Sequence, residues 1–281
     1  MALAPIIIFT DMDGSLLDHY TYSHEEANRL LNWLSANHIP VIPCTSKTRA
    51  EMEKLRIQLQ NDHPFIVENG AAIYIPDVLL VKDKSEVIER ENMCVKEFVE
   101  RREHWQSLLQ LPDLHLNEAY ISFEQAGFEG IMQMTGLSEE NARLASQREY
   151  GEPIKWVGTQ DQFEQFEKHI VHCGGRLLKG GRFIHVSGDS NKGIALNWLL
   201  KQYRHYYQND NIVSVALGDS HNDIAMLEAV DHAIVIRSPA HELPTVNAKN
   251  SQDVYITKQQ GPRGWVEGVT RVLNKLQIKI D

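Results

Sequence analysis

The stretch Ile6-Ile7-Ile8-Phe9-Thr10-Asp11-Met12-Asp13-Gly14, "IIIFTDMDG", runs from an unbroken apolar segment straight into two carboxylates one residue apart. A short β-branched run of this kind reads as a fully buried strand. Ionised acids are costly to bury unless something pairs with them. Asp11 and Asp13 at the tip of such a strand are therefore either turn residues or the two sides of a site. Gly14 follows them, the residue type that lets a chain turn sharply.

Outward from this segment, strand and helix patterns alternate. "SHEEANRLLNWLSANH" (23–38) carries Ala27, Leu30, Leu31 and Leu34 at helical spacing, with Ser23 and Glu26 at the spacing of a capping box. "IPVIPC" (39–44) is a second short apolar strand despite its prolines. Thr48 and Glu51 repeat the capping-box spacing before the helix "RAEMEKLRIQLQ", and "FIVENG" (65–70) is a third strand ending in a polar turn. Strand, helix, strand, helix, strand at this rhythm predicts a parallel α/β sheet. The same grammar returns near the C-terminus. "NKGIALNWLLKQY" is helical, "NIVSVALGD" a strand ending in an acid, "NDIAMLEAV" a helix, "HAIVI" and "VYI" strands, and "GWVEGVTRVLNKL" a closing helix.

Between these blocks the pattern becomes charged. Helices are expected over "SEVIERENMCVKEFVERREHWQSLL" (85–109), "LSEENARLASQREY" (137–150) and "TQDQFEQFEKHIVHC" (159–173), the face of residues 84 to 104 being solvated. Residues 84–187 thus read as an α+β domain inserted into a discontinuous core of residues 1–83 and 188–281. His169, His172 and Cys173 read as a helix end before Gly174-Gly175 rather than a zinc site. Phe163, Phe166 and Ile170 read as packing.

The net charge of −10 over 281 residues argues against a nucleic-acid partner, which needs clustered Lys and Arg. An acidic protein that handles an anion must supply cations or a metal locally. Three scattered cysteines, Cys44, Cys94 and Cys173, indicate a reduced, cytoplasmic setting. The start lacks a basic segment before its short apolar run, so no signal peptide is expected. No apolar stretch reaches about 18 residues, so no membrane span is expected.

In an open α/β sheet, ligands bind outside the carboxyl ends of the strands. Asp11 and Asp13 sit at such an end, as do Thr45 after "VIPC" and Asp219 and Asp223 in "LGDSHND". Lys192, opening a helix, can add a cation. A single Asp after a strand is usually a turn or cap residue. The ordered conjunction of D-x-D-G, Thr, Lys and G-D-x-x-x-D points instead to one site.

"DMDGSLLD", "CTSK", "NKG" and "GDSHNDIAML" resemble the four signatures of the haloacid dehalogenase superfamily of phosphohydrolases, with Ser15 where Thr is common. The insertion between the second and third signatures is similar to members with an α+β cap. "CTSKTRAE", "FIVENGAAIY", "MTGLSEENARLASQREYGEPI" and "GGRFIHVSGDSNKG" resemble, more narrowly, the mannosyl-3-phosphoglycerate phosphatases. The resemblance implies a Mg²⁺-dependent phosphatase of a phosphorylated sugar-glycerate. Asp11 is then the nucleophile that carries an aspartyl-phosphate, and Asp13 the acid and base. Thr45 and Lys192 complete the catalytic set. Asp11, Asp13 through its main-chain carbonyl, and Asp219 hold the metal, supported by Asp223. Ser46, Lys47, Asn69, Arg143, Arg148, Arg182, His185 and Asn222 are the expected substrate contacts, since a glycerate carboxylate suits a bidentate guanidinium. The rival expectations are a sucrose-phosphate or hexose-phosphate phosphatase, a phosphomutase that retains its phosphoryl group, and a non-catalytic phosphate-binding protein.

Overall fold

The computed structural model describes residues 4–109, 116, 118–180, 183–240, 242–248 and 252–280. In chain order the elements are β1 (Ile6–Thr10), α1 (Asn28–Ala36), β2 (Val41–Pro43), α2 (Arg49–Leu59), β3 (Phe65–Val67), β4 (Ala72–Ile75), β5 (Ile88–Arg90), β6 (Met93–Glu97) and α3 (Arg102–Leu109). There follow β7 (Tyr120–Ser122), α4 (Phe123–Thr135), α5 (Glu139–Ser146), β8 (Glu152–Trp156), α6 (Gln160–His172), β9 (Arg176–Gly180) and β10 (Phe183–Ser187). The chain closes with α7 (Lys192–Tyr207), β11 (Val213–Gly218), α8 (Ile224–Leu227), β12 (His232–Arg237), β13 (Asp253–Gln260) and α9 (Gly261–Lys275). No helix among the described residues is long and apolar enough to cross a membrane.

The described chain divides into two units, Met1–Thr45, Asp62–Lys96 and Asn191–Asp281 against Ser46–Asn61 and Glu97–Ser190. In the first, a sheet of order β13-β12-β11-β1-β2 is parallel throughout. Cys44 bridges in parallel to Ile66, which brings β3 alongside β2. All five residues of β1 are buried, four of them apolar, as a strand inside a parallel sheet requires. Its chain successor β2 lies on one side and β11 on the other, so the strand order reverses at β1. That reversal opens a crevice at the carboxyl ends of β1 and β11. Trp265, fully buried on α9, donates through Nε1 to Thr10 Oγ1 at 3.0 Å and anchors the end of β1 from 255 residues away.

The second unit is built on the antiparallel sheet β7-β8-β10-β9. Trp105 and Leu109 of α3 and Phe166 and Ile170 of α6 pack with Ile154 and Val186 of the sheet into its core. Helix α2 belongs here too, tied by Thr48 Oγ1 donating to Leu144 O at 3.0 Å, by Lys54–Glu140 at 2.6 Å and by Arg49–Glu149 at 3.0 Å. Its Thr48–Glu51 capping box is formed as expected.

Three expectations need correction. Residues 85–109 are not one helix: Ile88–Arg90 and Met93–Glu97 form an antiparallel hairpin, and only Arg102–Leu109 is helical. Glu91 and Asn92 take left-handed backbone at the turn, and Cys94 and Val95 are buried in a sheet with β4. Pairing in that sheet places β5 and β6 up to Lys96 in the first unit rather than in the inserted segment. Ser23 does not cap α1, which begins at Asn28; Glu26 is engaged by Arg263 at 2.6 Å instead.

Candidate active site

Asp11 follows the last residue of β1, and its N–H donates to Leu217 O of β11 at 2.8 Å, so the ladder itself fixes its main chain. The residue is 6% exposed. The turn beyond it closes through Leu17 N to Met12 O at 2.8 Å and Gly14 N to Leu17 O at 2.9 Å. Gly14 has φ of +78°, and a Cβ there would lie 2.5 Å from Asp219 Oδ2. No other residue type meets both conditions, which is why glycine follows the second acid. Asp13 is half-buried on this turn.

Asp219 and Asp223 come from the loop after β11. Asp223 Oδ2 accepts from Asp219 N at 3.1 Å and Ser220 N at 3.0 Å, which folds the loop back on itself. Gly218 makes room for this, since a Cβ there would fall 2.5 Å from Asp223 Cβ. Lys192, the first residue of α7 and fully buried, donates from Nζ to Asp11 Oδ1 at 2.5 Å and to Asp223 Oδ1 at 2.6 Å. Burial opposes its charge, but Asp11 and Asp223 outweigh burial and keep the ammonium protonated. One cation does not serve every acid. Burial, reinforced by Asp223, Asp219 and Asp13, holds the Asp11 carboxyl well above the ordinary range despite Lys192. Burial and then Asp223 push Asp219 up to about 6.

Asp11, Asp219 and Asp223 offer carboxylate oxygens that lie within 4.8 Å of one another. Asp219 Oδ2 is buried with no hydrogen-bond partner. A buried, unpartnered carboxylate oxygen among like charges is what a divalent cation would satisfy, and an all-oxygen donor set suits a hard one. The residues therefore fit a divalent metal.

The other expected residues fall into both units. In the first, Thr45 is 1% exposed at the end of β2, and Asn69 is 7% exposed after β3. Asn222 Nδ2 donates to Asn69 Oδ1 at 2.9 Å. In the second, Ser46 and Lys47 precede α2, and Arg148 Nη2 donates to Ser46 O at 3.3 Å. Arg148 lies past the end of α5, not within it as expected, because the helix stops at Ser146. His185 on β10 has a buried Nδ1 without a hydrogen-bond partner; burial, and then the neighbouring Arg148, push the ring down to about 3, so it is neutral. Arg143 stays on the surface of α5, paired with Glu139 at 2.7 Å and stacked 3.7 Å over the ring of Phe128. Arg182 lies outside the described residues. His169 Nε2 and Cys173 Sγ approach at 3.7 Å at the end of α6, while among the described residues the group of three side chains able to hold a metal ion is the aspartate cluster.

Sequence reasoning missed the packing partners. Gly193 is in the quoted "NKG", yet nothing local shows that a Cβ there would lie 2.3 Å from Ala225 O. Cys44 is fully buried near Lys192, and burial pushes its thiol up, so it stays neutral there.

A buried acid cluster with one lysine, at the switch point of a parallel sheet, has the chemistry to take a divalent cation and an anion beside it. The chain belongs to the haloacid dehalogenase-like hydrolases, whose family model matches residues 8–251. Two curated relatives are each named glucosyl-3-phosphoglycerate/mannosyl-3-phosphoglycerate phosphatase. The one from Methanococcoides burtonii is 35% identical over 276 residues, covering 96% of this chain and 97% of the relative. The one from Persephonella marina is 30% identical over 286 residues, covering 97% and 98%. Among solved structures, a phosphatase of the haloalkanoate superfamily from Bacteroides thetaiotaomicron shares the fold, with a TM-score of 0.63 at 14% identity over 98% of this chain and 96% of that one.

Proposed function

We propose that the chain hydrolyses mannosyl-3-phosphoglycerate and glucosyl-3-phosphoglycerate to the glycosylglycerate and phosphate, with Mg²⁺ as its cation. The enzyme is a phosphoric monoester hydrolase. The observation that carries the narrower reading is similarity over nearly the whole length to two proteins named for these substrates. A likeness restricted to the four short signatures would have left the substrate open.

Each residue then has a chemical task. An Asp11 carboxylate oxygen attacks phosphorus, the bond from phosphorus to the glycerate oxygen breaks, and Asp13 gives that oxygen its proton. Asp13 next takes a proton from water as the water attacks the aspartyl-phosphate, which restores Asp11 and frees phosphate. Lys192 fixes the Asp11 carboxylate and offsets its charge, while Thr45 holds a phosphoryl oxygen. Asp219, Asp11 and the carbonyl of Asp13 would hold Mg²⁺, with Asp223 steadying Asp219 N. When bound, the cation neutralises charge that would otherwise repel a phosphate dianion. The second unit carries recognition, with Arg148 for the glycerate carboxylate and neutral His185 as a hydrogen-bonding partner for the substrate. Ser46 and Lys47 are further candidate contacts.

Release of free phosphate, measured with and without Mg²⁺ across both glycosyl-3-phosphoglycerates, hexose phosphates and sucrose phosphate, tests the reading. The two phosphoglycerates are expected to lead by about 100-fold or more in kcat/KM, since an unmatched carboxylate site penalises the others. A hexose phosphate that reacts faster would overturn the substrate. Phosphoryl return to the sugar without free phosphate would make the enzyme a mutase.

A further inference from the structure

Directly after β3, the turn Glu68-Asn69-Gly70 holds three successive residues in left-handed backbone, with φ of +48°, +61° and +94°. Asn tolerates that region, but two adjacent non-glycine residues in it are costly and persist only where the surroundings enforce them. The turn is also buried, Glu68 at 5% and Asn69 at 7% exposure, so it is not a surface loop free to relax.

Three segments of the first unit enforce it. Asn69 N donates to Thr45 O at 2.9 Å. Gly70 packs directly on the peptide that introduces Lys192: a Cβ there would lie 2.2 Å from Asn191 O and 2.8 Å from Lys192 N. Asn69 Oδ1 accepts from Asn222 Nδ2 at 2.9 Å. From Asn222 the chain of contacts continues, because Ser220 Oγ donates to Asn222 Oδ1 at 2.5 Å and Ser220 N to Asp223 Oδ2 at 3.0 Å. One strained turn thus joins the loop of Asp219 and Asp223 to the start of α7.

We propose that Asn69 and Asn222 are positioning residues whose side-chain bridge, aimed by the left-handed turn, sets the Asp219–Asp223 loop against Lys192 and thereby the affinity for the divalent cation. The inference rests on the reading of the acid cluster as the cation site of a phosphatase. It revises the role of Asn69, whose side-chain oxygen faces Asn222. A loop that holds metal ligands gains affinity from being held in place before the ion arrives, and outer hydrogen bonds of this kind matter about 10- to 100-fold.

The test is calorimetric titration of the metal-free protein with Mg²⁺, accompanied by kcat and KM for p-nitrophenyl phosphate. Asn69→Gly keeps the left-handed backbone and deletes the acceptor; Asn69→Asp keeps both; Asn222→Ala deletes the donor and leaves the turn untouched. Asn69→Gly and Asn222→Ala are each expected to weaken Mg²⁺ binding by about 10-fold or more. The double variant should be no weaker than the worse single one, since both remove one bridge. Asn69→Asp should recover most of the loss. Mg²⁺ affinity unchanged in the folded Asn222→Ala protein, losses that multiply in the double variant, or a change in KM alone would overturn the proposal. The KM outcome would return Asn69 to substrate contact. If the wild type binds Mg²⁺ and releases phosphate while the variants bind equally well, only this inference falls. If the wild type binds no divalent cation, the reading of the site falls with it.

Discussion

Asp219→Asn should make the metal-free protein more stable at neutral pH while removing its response to Mg²⁺. Lys192 bonds Asp11 and Asp223, whereas Asp219 Oδ2 is buried without a hydrogen-bond partner. Burial and Asp223 lift its carboxyl from 3.8 to about 6. The folded chain therefore keeps this proton to about pH 6, and the unfolded chain releases it near 3.8. Between those values the native state binds more protons, so stability falls as pH rises. The favourable contribution is complete below about pH 4 and gone above about pH 6. A shift of about two units is worth about 3 kcal/mol, which in a chain of this size is about 6–12 °C in Tm. Asn carries no charge to hold in that position. In chelator at about pH 7.5 the variant is expected to melt above the wild type by up to that amount, and at about pH 4 the gap should close. Mg²⁺ should raise the Tm of the wild type and leave the variant where it is. Thermal melts at the two pH values, with and without Mg²⁺, measure all of this. A variant that melts below the wild type in chelator at neutral pH, or a gap independent of pH, would refute the reasoning.

Lys192→Met should act in the opposite direction, because it leaves Asp11 and Asp223 buried without their shared cation. A loss of about 3–5 kcal/mol in chelator is expected from denaturant unfolding, and equal stability would contradict the charge balance described for the site. Arg148→Ala should cost about 2–4 kcal/mol in kcat/KM on glycosyl-3-phosphoglycerates and leave p-nitrophenyl phosphate nearly unchanged. Equal proportional loss on both would make Arg148 structural. Arg143→Ala should change neither rate, since its guanidinium is occupied by Glu139 and Phe128.

The acid cluster was legible because its signals are local. Each strand-to-turn junction announces itself where an apolar run stops, and Asp11, Thr45 and Asp219 each stand within a residue or two of such a stop. Topology then did the gathering, since a parallel sheet delivers its strand ends to one edge. What stayed hidden depends on partners distant in sequence. Residues 85–109 carry charges compatible with a helix, yet pairing with β4 pulled Met93–Glu97 into a strand. Glu26 looked like half of a capping box until Arg263, 237 residues on, engaged it. Arg148 fell outside α5 because the helix ends on Ser146, whose Oγ turns back to Arg143 O at 2.8 Å. The left-handed run at Glu68 and Asn69 was equally invisible, because neither residue type demands it and three separate segments impose it.

The proposed hydrolysis turns on Asp11 as the group that carries the phosphoryl. Rapid acid quench of enzyme mixed with glycosyl-3-phosphoglycerate and Mg²⁺, followed by peptide mass mapping, asks this directly. A single phosphoryl group is expected on the peptide containing Asp11, formed and lost at rates that account for turnover, and absent from Asp11→Asn. Turnover at the full rate with no phosphorylated peptide at any quench time, or phosphate release by Asp11→Asn at the wild-type rate, would contradict it.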